Sequence, residues 1–67
     1  MSEFSSALNI ALIKKEARKK DLADYCNVSP TTISRWCNGL AQPNKAHKEQ
    51  VLNYVEMKES DFYRLGE

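Results

Sequence analysis

Residues Lys19 to Gly39 read KKDLADYCNVSPTTISRWCNG, two short helical patterns broken by a tight turn. Leu22, Ala23 and Cys26 form an apolar i, i+1, i+4 set in the first pattern. Ala23 is small, as a second helix crossing close by requires. Asn27 follows, a residue that enters the left-handed backbone region more readily than other non-glycine residues. Ser29 and Pro30 restart a helix, with a hydroxyl at the N-cap and the residue favoured at the first helical position. Ile33, Trp36, Cys37 and Leu40 then recur at i, i+3, i+4 and i+7, the spacing of a buried stripe. Thr31, Thr32, Ser34 and Arg35 are left facing outward. These are short hydroxyls and one guanidinium, the groups that meet base edges and phosphates. Asn38 and Gly39 close this second helix, expected over about 30–38, by C-cap chemistry. A pair of helices whose second member reads double-stranded DNA is the leading expectation.

The rest of the chain supplies the bundle around that pair. A first helix is expected from about Glu3 or Ser5 to about Glu16, with Phe4, Leu8, Ala11 and Leu12 on one side. Ile10 and Ile13 lie on the other, and Ile10 is expected to be a lone exposed apolar residue, which is ordinary on a protein surface. After the loop Leu40–Pro43, Asn44 reads as an N-cap for a fourth helix over roughly 45–56, which buries Val51, Val55, Leu52 and Tyr54. Met57 and Phe62 are expected to close the core, with a short fifth helix near 59–64. Trp36 belongs to the core, and Tyr25 is expected half-buried with its hydroxyl outward. The expectation is all-α, one domain over residues 1–67, without repeats, linkers or low-complexity tracts.

Sixty-seven residues allow one small core, since a chain of this size buries only about 60% of its unfolded surface. No deep cleft fits beside such a core, and no nucleophile–base–orienter set is visible, so an enzyme is not expected. The two cysteines stand eleven positions apart and His47 is the single histidine, which matches no zinc-ligand spacing. No metal or cofactor is expected. Cys26 reads as a small core residue, Cys37 as partly exposed, and neither as half of a disulfide. No run is apolar enough to span a membrane, and Met1-Ser2-Glu3 does not open a secretory signal; a soluble intracellular protein is expected.

Net charge is only +1, low for a nucleic-acid binder, but its distribution is uneven. Residues 1–48 hold eight bases (Lys14, Lys15, Arg18, Lys19, Lys20, Arg35, Lys45, Lys48) and four acids, whereas residues 49–67 hold two bases and five acids. A molecule with a basic side can present it to phosphates and turn its acidic side away.

Leu22-Ala23, Cys26, Asn27-Val28-Ser29, Ile33, Trp36 and Asn38-Gly39 together resemble the helix-turn-helix of phage Cro proteins and repressors, shared by bacterial regulators of the Xre type. The resemblance extends over nearly the whole chain and implies a compact five-helix bundle of the lambda-repressor-like type. Two positions depart from the family pattern. Asn27 stands at the turn glycine, and Leu12 and Cys37 stand where many members carry an arginine facing a glutamate.

The resemblance implies that Pro30, Thr31 and Arg35 read bases. Pro30 offers either a thymine-methyl contact or only helix initiation. Arg35 has the fork that grips guanine O6 and N7, with a phosphate contact or a surface ion pair as its plainer roles. Thr32 and Ser34 are donors to base edges or phosphates. Lys19 falls where the family meets the DNA backbone, with Lys20 and Arg18 assisting. Asn38 matches a phosphate-contacting position, and Asn44 and Lys45 open the fourth helix, where the helix dipole favours an anion. One domain reads few base pairs, so a two-fold operator and a weak homodimer are expected, with Met57, Phe62, Tyr63 and Leu65 as the dimer surface. Phe62 and Leu65 can alternatively close the monomer core. The competing functions are an antitoxin-type regulator that grips a toxin partner through Ile10 and Ile13, and a protein-interaction adaptor on the same scaffold.

Overall fold

A computed structural model of the chain describes residues 3–67; Met1 and Ser2, at the start of the expected signal-free N-terminus, lie outside the described residues. Five helices follow one another: α1 (Glu3–Lys15), α2 (Lys19–Cys26), α3 (Pro30–Cys37), α4 (Lys45–Val55) and α5 (Glu59–Arg64). The fold is all-α. α1 runs through the middle and packs against α3, α4 and α5, while α2 packs against α3 and α4.

Apolar spacing explains that central place. Phe4, Ala7, Leu8, Ala11 and Leu12 give α1 a continuous buried side, wide enough to serve several partners. The Phe4 ring meets Trp36 of α3 edge-on at 6.5 Å and lies 5.3 Å from Phe62 of α5. Phe4 thus joins the start of α1 to both the recognition-type helix and the last helix. Leu12 and Cys37 are both buried.

Four of the helices end in one way. In α1 the Glu16 N–H donates to Ile13 O and the Ala17 N–H to Leu12 O, and the same paired bonds recur at Asn27–Val28, Gly39–Leu40 and Glu56–Met57. This is the Schellman pattern, which satisfies the carbonyls a helix end leaves free and puts one residue in the left-handed region. That residue is Glu16 (φ 56°), Asn27 (φ 57°), Gly39 (φ 73°) and Glu56 (φ 57°). The apolar residue after each turn folds back onto the core at Ala17, Val28 and Met57.

The fourth such residue, Leu40, corrects the buried stripe. It is 77% exposed, because α3 stops at Cys37 and the left-handed Gly39 redirects the chain before the i+7 position is reached. Cys37 departs in the opposite sense, with only 3% of its surface exposed under the cover of α1. On the outer side of α1, Ile13 is the residue left in solvent, 75% exposed, while Ile10 is half-buried. Phe62 is fully buried and therefore leaves the dimer-surface set. Met57, Tyr63 and Leu65 are half-buried against the core. After α5 the chain returns to α1: a side chain at Gly66 would come within 3.1 Å of Ala7 N and Glu3 O, so glycine permits the close approach.

Candidate nucleic-acid interface

The helix pair is held by its own buried positions. Leu22, Ala23 and Cys26 anchor α2, and Ile33, Trp36 and Cys37 anchor α3. Between them lie only Asn27, Val28 and Ser29. Asn27 takes the left-handed conformation that lets so short a connection turn, and Val28 is drawn inward against the core. Ser29 then caps α3, its Oγ accepting from the Thr32 N–H at 3.3 Å, with Pro30 at the helix start.

Burying that stripe turns the opposite side of α3 outward. Pro30, Thr31 and Arg35 are exposed, and Thr32 and Ser34 are half-buried beside them. Thr31 and Arg35 stand four residues apart and so share a side of the helix. The Thr32 hydroxyl lies 3.1 Å from Ser29 Oγ, so it belongs to the cap as much as to any ligand.

Lys19 and Lys20 are exposed at the start of α2. Burial pushes the pKa of the Cys37 thiol at the end of α3 up, and the ammonium of Lys19, at the start of α2, opposes that rise. Asn38 is exposed just past α3. Asn44 and Lys45 are exposed at the start of α4, where Asn44 Oδ1 accepts from the His47 N–H at 2.8 Å. Capping thus occupies the oxygen of Asn44 and leaves its NH2 outward.

Ion pairing sorts the bases into two groups. Lys15 pairs with Glu56 at 3.9 Å, Arg18 with Asp21 at 3.9 Å, and Lys48 with Glu59. Lys48 is also held over the Tyr63 ring at 4.9 Å, and the hydrogen bonds its ammonium donates to Glu59 and Tyr63 raise its pKa. Among the described residues Lys19, Lys20, Arg35 and Lys45 enter no ion pair, so their charge is not neutralised locally; Lys14, Lys58 and Arg64 are free in the same sense. Arg18, the expected helper, is tied to Asp21, but with a side chain 85% exposed that pair is easily exchanged for another partner.

Two polar residues near α3 escaped the sequence reading. Asn9 of α1 donates its side-chain N–H groups to Ser5 O at 2.9 Å and to Cys37 O at 2.8 Å. His47 of α4 sets its ring 5.8 Å from Trp36 and bonds through Nδ1 to Gln50 Oε1 at 2.8 Å. Neither lies in a motif, and only the packing of α1 and α4 around α3 gives them a part.

No group of three or more His, Cys, Asp or Glu that could hold a metal ion occurs among the described residues. No helix among them is long and apolar enough to cross a membrane.

Two short helices crossing through a three-residue turn, the second with a buried stripe and a hydroxyl–guanidinium face, define a DNA-binding helix-turn-helix domain. The family model for helix-turn-helix matches residues 14–47, half of the chain, from the end of α1 to the first turn of α4. The chain belongs to that family, in its Xre and lambda-repressor-like form. This is a family of DNA-binding regulatory domains rather than of enzymes. No curated protein and no solved structure matches the chain significantly.

Proposed function

We propose that the protein is a sequence-specific transcriptional regulator, similar to a Cro protein or to the DNA-binding domain of a phage repressor. It lays α3 in the major groove of a two-fold operator and acts in the cytoplasm of a bacterium or phage-infected cell. One observation carries this reading: the bases at the start of α2, on α3 and at the start of α4 are all free of carboxylate partners, so their charge is available to a polyanion. Within it, Thr31 and Arg35 read bases, with Thr32 and Ser34 at the edge of the same surface. Pro30 starts the helix and brings its ring against the groove. Lys19, Lys20, Asn38, Asn44 and Lys45 hold phosphates and set the register. Two copies meet through Met57, Tyr63 and Leu65, so that their α3 helices reach half-sites one helical turn, roughly 34–36 Å, apart.

Binding-site selection from random duplex DNA tests this, with the affinity of the selected site measured at two salt concentrations. A two-fold consensus bound well above random duplex is the expected result. Weak, salt-sensitive binding with no consensus would overturn it and leave only nonspecific attraction. An antitoxin role is the second reading, favoured by the exposed Ile13 one turn beyond half-buried Ile10. Recovery of a stoichiometric toxin-like partner whose binding is lost in Ile13→Asp would establish it.

A further inference from the structure

A helix leaves its last four carbonyls without a partner inside the helix, and at α3 all four can be followed. Ser34 O accepts from the Asn38 N–H at 2.9 Å, Arg35 O from the Leu40 N–H at 2.9 Å, and Trp36 O from the Gly39 N–H at 3.3 Å. These bonds are local and belong to the turn. The last carbonyl, Cys37 O, is taken from across the bundle by the side-chain amide of Asn9 at 2.8 Å. The same amide donates to Ser5 O one turn back in α1 at 2.9 Å, which fixes its direction. Cys37 O is also the negative end of the α3 dipole, where a donor is favoured. Leu12 of α1 and Cys37 of α3, both buried, supply no polar group between the two helices. Apolar contact holds α3 against α1 but sets no hydrogen-bonded register between them.

We infer that Asn9 is a positioning residue for DNA recognition: it fixes the Cys37–Asn38 peptide against α1 and so sets where the far end of α3 and Asn38 meet the duplex. This rests on the reading of α3 as the DNA-reading helix. Asn9 is itself at the surface, so its replacement opens no core cavity, and circular dichroism of each variant checks that it is folded.

Three variants and two readouts test it. Asn9→Ala removes the donor, and Asn9→Asp keeps the shape but presents only acceptors to a carbonyl. Glu59→Gln loosens the α4–α5 pairing away from α3 and serves as the control. The first readout is amide hydrogen exchange of the free protein. Protection at residues 38–41 is expected to fall in both Asn9 variants by more than the loss at α2 and α4, and not in the control. The second is affinity for the selected duplex, corrected for the folded fraction. A loss of about three- to tenfold is expected for Asn9→Ala, at least as much for Asn9→Asp, and none for the control. Exchange at 38–41 that follows global stability alone, or an Asn9→Asp variant indistinguishable from the starting protein, would overturn the inference. Should the starting protein select no duplex at all, the DNA reading fails, and the exchange data still decide whether Asn9 holds the end of α3.

Discussion

Arg35 and Lys19 are both free cations on the proposed DNA face, and they differ in what their chemistry can tell a duplex. Arg35 stands on the outward side of α3, where a planar fork matches the two acceptors of guanine. Arg35→Ala is expected to cost about 1–3 kcal/mol on the cognate site and to relax discrimination at one base pair. Competition against single-base variants of the selected duplex checks this, and equal losses on every sequence would make Arg35 a phosphate contact. Lys19 opens α2 and is exposed, and on the proposed face its ammonium is assigned to the DNA backbone rather than to a base edge. Lys19→Ala is expected to weaken binding evenly across sequences and to flatten the salt dependence by about one unit; an unchanged slope in a salt titration would remove it from the interface. At this scale the sequence was a good guide wherever the residue type fixes local geometry, as at the Ser29 cap and the Pro30 helix start, and to the outward placement of Thr31 and Arg35. It was silent on Asn9, because an asparagine between Leu8 and Ile10 reads as ordinary helix surface until α3 is packed beside it.

The helices owe their definition to their ends as much as to their apolar sides. Asn27 and Gly39 announce two of the four left-handed stops, being residue types suited to them. Glu16 and Glu56 announce nothing, since glutamate has no preference for φ near 57°, and those stops are imposed by Ala17 and Met57 turning into the core. The same physics explains Leu40, whose spacing matched the buried stripe of a helix that had already ended. A left-handed glutamate costs energy that glycine avoids. Glu56→Gly is therefore expected to stabilise the domain by about 0.5–1 kcal/mol, or a rise of several degrees in Tm for a domain of this size. The Lys15–Glu56 pair it removes is long, with Glu56 83% exposed, and contributes little. Thermal unfolding of Glu56→Gly beside Glu56→Ala checks this: a gain shared by alanine would point to charge rather than backbone conformation.

For the molecule as a whole, the small core leaves few residues to spare for an interface. Phe62 lies at its centre, against Phe4 and 5.5 Å from Tyr63. Phe62→Ala is expected to cost about 3–5 kcal/mol, enough to unfold much of so small a domain. Circular dichroism shows this directly; a Phe62→Ala variant as stable as the starting protein would contradict its place in the core. Sequence periodicity could place Phe62 among the apolar residues after α4, yet could not say which side of α5 faces α1. The contrast between paired and free bases was equally hidden. Lys48 looks in the sequence like part of the basic half, and only the approach of α5 commits it to Glu59 and Tyr63.

The central claim is that the surface formed by α3 with the starts of α2 and α4 is where DNA binds. Amide chemical-shift mapping on addition of the selected duplex tests that most directly. The largest changes are expected at residues 19–20, 30–38 and 44–45, with the outer side of α1 around Ile13 and the exposed face of α5 little affected. Changes centred on α1 and α5, with α3 unmoved, would contradict it.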